Sequence, residues 1–95
     1  MKLYLTGCIS WQEFDGTVYV FNEQSRKTYL FSDTARDFWM AVVEYRVFET
    51  CLAALCRTYG ENLRQTIQED LLTFLREIQG YGLIDLSEEK HHAGA

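Results

Sequence analysis

Two hydrophobic periods share this chain, and the point where one gives way to the other dictates the plan of any fold it can adopt. Up to Phe31 the apolar side chains come in short β-branched and aromatic runs; from Ser32 they recur every third or fourth position. Residues 9–14 form the first run and end at Asp15-Gly16, a dipeptide whose backbone freedom suits a two-residue hairpin. Residues 17–21 (Thr-Val-Tyr-Val-Phe) form the second, with Val18 and Val20 on one face and Thr17, Tyr19 and Phe21 on the other. A polar turn over 22–26 leads to a third run at 27–31 (Lys-Thr-Tyr-Leu-Phe). Loops this short join antiparallel neighbours, so the three strands are expected as a meander whose third member is an edge.

Ser32 is expected to cap the first helix and Asp33 to favour its first turn. Ala35, Phe38, Trp39, Val42 and Val43 share one face of that helix, which Glu44-Tyr45-Arg46 interrupts. Phe48, Cys51, Leu52, Leu55 and Tyr59 mark a second helix, with Gly60 as its stop. A third runs from near Glu61 or Asn62 to about Gln79. Residues 83–86 are a short apolar coda that could pair or pack. The expected class is α+β, a three-stranded antiparallel sheet followed by three α-helices, resembling a winged helix-turn-helix. Residues 1–86 read as a single domain and 87–95 as a flexible tail.

Composition removes several functions. With 95 residues, 47% of them hydrophobic, the chain has room for one packed core and no second. No apolar run approaches a membrane span, and the first residues are too weakly apolar for a secretory signal, so a cytoplasmic protein is expected. Fourteen acidic residues against nine basic ones oppose phosphate binding, although Arg26-Lys27 at a hairpin tip would suit a wing contact in a DNA-binding regulator. Cys8, Cys51 and Cys56 are odd in number and match no zinc spacing with His91 and His92, so small buried thiols are expected, with no metal and no cofactor. Glu69-Asp70 and Glu88-Glu89 read as solvated acids, and no nucleophile, base or phosphate-loop motif is present. The expectation is a binding protein and no enzyme.

The third helix is the most informative element. Taking Ile67 as origin at about 100° per residue, Leu71, Phe74 and Ile78 fall within about 40° of it, enough to dock the helix on a core. Leu75 and Leu72 lie near 80° and 140°, beside Arg64 and Gln68, while Thr66, Asp70, Thr73 and Glu77 occupy the opposite flank. Leu72 and Leu75 either pack against a neighbouring helix or the coda at Leu83-Ile84, or make this flank the wall of a groove beside the third strand. An extended peptide could add to that strand, with affinity from its backbone and selection from pockets on the helix. An exposed aromatic-rich edge otherwise invites aggregation, or pairing with a second copy of the chain.

The run Phe31-Ser32-Asp33-Thr34-Ala35-Arg36-Asp37-Phe38-Trp39 resembles the Leu-Asn-x-Thr-Ala-x-x-Ile-Trp pattern of PqqD-like proteins. Leu52, Leu55 and Tyr59 are similar to that family's second helix, and Asp70, Phe74, Leu75, Ile78 and Gly82-Leu83-Ile84 to its third helix and close. Together these span roughly residues 9 to 86. Phe31-Ser32 stands where the family has Leu-Asn, and Glu44-Tyr45-Arg46 where it has a glycine. The resemblance implies a recognition element for the precursors of ribosomally made, post-translationally modified peptides. Such a protein binds the precursor's leader segment as an added strand and delivers it to a maturation enzyme: a leader peptidase, a radical-SAM enzyme or a cyclodehydratase. As a small separate chain it resembles PqqD itself and the leader-binding proteins of lasso-peptide pathways. The candidate leader contacts it implies are Lys27, Thr28, Tyr29, Leu30 and Phe31 on the strand, and Arg64, Gln68, Leu71, Leu72 and Leu75 on the helix.

Overall fold

The computed structural model describes residues 1–87; the expected flexible tail, from 88 onward, and the paired histidines within it lie outside the described residues. The elements in chain order are β1 (Lys2–Leu5), β2 (Ile9–Phe14), β3 (Thr17–Asn22), β4 (Lys27–Ser32), α1 (Asp33–Tyr45), α2 (Phe48–Tyr59), a 3₁₀ turn (Glu61–Leu63), α3 (Arg64–Gly80) and β5 (Ile84–Ser87). The fold is α+β, with the meander β2-β3-β4 leading into three helices. Asp15 and Gly16 at φ 55° and 81° make the β2–β3 turn, closing on the pair Phe14↔Thr17.

The N-terminal strand is an addition to the expected plan. β1 pairs antiparallel with β5, Leu3 opposite Leu86 and Leu5 opposite Ile84, as a separate two-stranded sheet. Leu3 N–H donates to the Arg46 carbonyl at 2.9 Å and Phe48 N–H to that of Met1 at 2.9 Å, which ties β1 to the α1–α2 junction. The apolar coda therefore does pair, with a segment some eighty positions away.

Two helix ends differ from expectation. Ser32 occupies the cap position of α1 but makes no side-chain cap bond; its hydroxyl lies 3.2 Å from that of Thr17 across the strand pair. At the other end Arg46 takes the left-handed conformation, φ 61°, that a glycine would adopt without strain. Its N–H still reaches the Val42 carbonyl, so the chain turns without the missing glycine.

One core joins both sheets and all three helices. Val18 and Val20 of β3 meet Trp39 and Val42 of α1, with Leu3, Leu71, Leu75, Ile78, Leu83 and Ile84 in the same buried cluster. Cys51 and Cys56 are buried thiols, Cys8 is half-exposed and all three are free. Burial pushes the Cys51 thiol up to about 11, and its Sγ–H donates to the Ala41 carbonyl at 3.3 Å.

Asn22 is the buried polar residue of this core, 4% exposed. Its Oδ1 accepts the N–H groups of Gln24 and Ser25 at 2.9 and 3.2 Å, which folds the β3–β4 turn. Its Nδ2 donates to the Tyr81 carbonyl at 3.0 Å, so the hairpin is pinned to the end of α3. The approach is close enough that a Cβ on Gly82, at φ +78°, would sit 3.0 Å from Nδ2. Asn22→Ala would strand these buried partners and is expected to cost about 2 kcal/mol. A thermal melt should show this as a fall of about 10 °C.

Candidate peptide-binding cleft

Hairpin geometry decides which backbone groups of β4 are free. In a two-residue hairpin the closing pair, here Phe14↔Thr17, exchanges both hydrogen bonds, and such pairs then alternate along each strand. Thr17, Tyr19 and Phe21 thus bond β2, while Val18, Val20 and Asn22 bond Phe31, Tyr29 and Lys27 of β4. Two contacts beyond the ladder keep this alternation: Glu23 N–H to the Cys8 carbonyl and Arg26 N–H to that of Asn22, both 2.8 Å. The remaining β4 groups, on Thr28, Leu30 and Ser32, point away from β3. No strand pairs with β4 on that side among the described residues.

The other wall is α3. Phe74 packs edge-on against Phe31 at 5.3 Å between ring centroids and against Phe38 at 5.7 Å. Tyr81, just past the helix, stacks on Tyr29 at 4.3 Å with the planes 13° apart. The flank of α3 turned to β4 is therefore the one with Phe74, on which Asp70 and Glu77 also lie. At one end the cleft is bridged by the Tyr29–Tyr81 stack. At the other lies a hollow of about 190 Å³, floored by Phe38 and Ile67 and rimmed by Thr34, Thr66 and Asp70.

Electrostatics along the cleft are acidic. Tyr81 Oη donates to Glu77 Oε2 at 3.3 Å, and burial together with the Glu77 charge raises its phenol above the ordinary value. Tyr59, on the hollow, donates its hydroxyl to Asp37; that bond, more than burial, raises its phenol as well. Asp37 in turn meets Arg36 at 3.0 Å, and Arg36 reaches Glu13 of β2 at 2.5 Å, which ties α1 to the sheet.

The sequence-expected contacts separate on this frame. Lys27, Thr28 and Leu30 are exposed along the β4 edge, and Tyr29 is half-buried in its stack. Phe31 is a core residue, as are Leu71 and Leu75, both fully buried. Leu72 lies about 160° around the helix from Phe74, Gln68 about 120° and Arg64 about 80°, all toward the other flank. Of the expected groove wall, Leu71 and Leu75 are buried in the common core and Leu72 is partly buried against it, and α3 contacts both α2 and β5. On the side of α3 that meets β4 lie Phe74 and Tyr81, with Asp70 and Glu77 on the same flank, none of them among the expected contacts. Their signal was the polar flank Thr66, Asp70, Thr73 and Glu77, the composition of a wall that meets solvent.

The outer face of the meander is the sheet's second distinctive surface. Register places Ser10, Gln12 and Phe14 of β2 on it, then Thr17, Tyr19 and Phe21 of β3. β4 contributes Thr28, Leu30 and Ser32. Among the described residues, no group of three His, Cys, Asp or Glu side chains could hold a metal ion. No described helix is long and apolar enough to cross a membrane.

Residues 17–84 match the family model for coenzyme PQQ synthesis protein D, PqqD. The chain belongs to the PqqD family. Among solved structures it is similar to TbiB1 in complex with the TbiA(β) leader peptide, with a TM-score of 0.80 over 94% of this chain and 100% of that one. Identity is 21%, so the likeness is one of fold. No curated protein matches the chain.

Proposed function

We propose that this PqqD-family protein is a single recognition domain over residues 1–86 that holds the leader of a ribosomally made precursor peptide. The leader adds to β4 as a fourth strand beside α3, and the domain presents it to a maturation enzyme in the cytoplasm. The edge of β4 facing the cleft of α3 is the observation that carries this reading: among the described residues no strand pairs with the backbone groups of Thr28, Leu30 and Ser32, and an extended peptide supplies one. Family membership supports it, as does a similar fold in a protein whose structure contains a leader peptide.

Leader contacts on the strand side are Lys27, Thr28, Tyr29 and Leu30, with Phe31 supporting them from the core. On the helix side the contacts are Asp70, Phe74, Glu77 and Tyr81, in place of Arg64, Gln68, Leu71, Leu72 and Leu75. Side chains that alternate toward α3 meet an apolar floor with carboxylates on its rim. Nothing in this arrangement makes or breaks a covalent bond, and the domain acts by holding and orienting.

Fluorescence anisotropy with labelled leader peptides encoded beside this gene tests the reading, with a duplex DNA of similar length as control. Saturable binding of one leader with the DNA silent is expected. DNA binding with steep salt dependence and no leader binding would replace the reading with a nucleic-acid one. The same titration distinguishes the two flanks of α3. Asp70→Lys is expected to change leader affinity about tenfold, and Leu72→Glu to leave it within about twofold. The reverse pattern would return the binding wall to the leucine flank.

A further inference from the structure

We propose that the outer face of the meander is the docking surface for the maturation enzyme, and that the bound leader completes it. This rests on the leader-binding reading above and adds where the partner sits and what it recognises.

The observation is chemical. All nine outward positions of β2, β3 and β4 are uncharged, in a chain where 24% of residues are charged and the net charge is −5. A solvent-facing sheet normally carries Lys and Glu, which keep water bound and disfavour association. The charges of these strands fall instead on the other alternation, as with Glu13 and Lys27. What the outer face shows is apolar: Phe14 is 67% exposed, Leu30 59% and Tyr19 36%, and Leu30 and Tyr19 are cross-strand partners. Beside them lies a depression of about 350 Å³ bordered by Ser10, Gln12, Tyr19, Phe21 and Thr28. Its neutral hydroxyl and amide groups would hydrogen-bond a partner without the desolvation of a charge. The matching surface is therefore neutral and apolar, with a few hydrogen-bonding groups.

Size argues against a second copy of this chain as the occupant. The nine outward residues of the three strands fall well short of the roughly 20–30 residues a side of a stable complex. A partner must complete its footprint elsewhere, and the sheet can grow only at its edges. A leader added to β4 continues the same face by a fourth strand, next to Leu30, and brings the rest of the precursor with it. The enzyme then contacts domain and leader together. By linkage, the leader tightens the enzyme's binding by the same factor as the enzyme tightens the leader's.

Phe14→Lys and Tyr19→Lys test this in the full chain, because both side chains are exposed on the outer face, point away from the cleft and are not among the leader contacts. The measurements are leader anisotropy, calorimetric titration of the purified maturation enzyme encoded beside the precursor, and light scattering of the chain alone. For the parent chain, enzyme affinity is expected to rise at least tenfold when leader is present. Both variants should lower it at least thirtyfold while leaving leader affinity within twofold. Unchanged enzyme binding in both variants would overturn the proposal. So would a leader-independent dimer of the parent that either lysine dissolves, or capture of the parent on neutral phosphatidylcholine vesicles that the variants lose. Absence of leader binding by the parent chain would instead remove the reading beneath it, and shows in the anisotropy arm alone.

Discussion

Thr28→Pro should abolish most leader binding and leave the domain folded, whereas Tyr29→Pro, one position along, should unfold it. The two differ in which way the lost N–H points. Thr28 faces the open edge, so proline there removes a donor that only an added strand would use, and edge strands tolerate the ring. Its backbone partner on the leader is then left unsatisfied at a cost of about 1–3 kcal/mol, or about tenfold to hundredfold in affinity. Tyr29 lies opposite Val20 and bonds it in the ladder. Proline there removes that bond and the stack on Tyr81, a loss of about 3 kcal/mol or more from a fold whose whole stability is of order 5–15 kcal/mol. Thermal melts and leader anisotropy on the two variants check both halves. If Tyr29→Pro melts normally and Thr28→Pro does not fold, the hydrogen-bond alternation along β4 is the reverse of that derived above.

Trp39→Ala should be the most damaging of the core truncations. The indole is fully buried, stacked on Phe31 at 5.7 Å and met edge-on by Trp11 at 6.1 Å, so it joins the sheet to α1. Removing it is expected to cost about 3–5 kcal/mol, a fall in melting temperature of about 15 °C or more. Trp39→Phe should cost far less, about 1 kcal/mol. The indole Nε1–H has no hydrogen-bond partner among the described residues, so phenylalanine gives up no bond there. Comparing the two melts checks this; equal losses would mean the N–H carries a bond the geometry does not show.

The sequence was most readable where the signal was local. The Asp15-Gly16 turn, the alternation of Val18 and Val20, and the one-sided stripe of Phe38, Trp39 and Val42 are set by neighbours within a turn or a hairpin. They gave the meander and the three helices in the right order. β1 was invisible because Lys2–Leu5 is only four residues long and its partner is at the other end of the chain. That omission propagated to the site. Without β1–β5, packing of Leu72 and Leu75 on a neighbouring helix or the coda could not be told from a groove wall. With β5 and α2 in contact with α3, Leu75 is core and the polar flank with Asp70 and Glu77 is left for the cleft. The strand side was legible because an edge follows from topology, while which of its N–H groups are free waited on the hairpin register.

The pairing of β1 with β5 also sets how the domain can be joined to other chains. Lys2 stands opposite Ser87, so the two ends of the described fold lie about 5 Å apart across one ladder rung. A surface loop of an enzyme could accept the whole module as an insertion without its own two ends being pushed apart. Whichever way the module is attached, its connections leave from the β1–β5 ladder and not from the three-stranded sheet that carries the β4 edge.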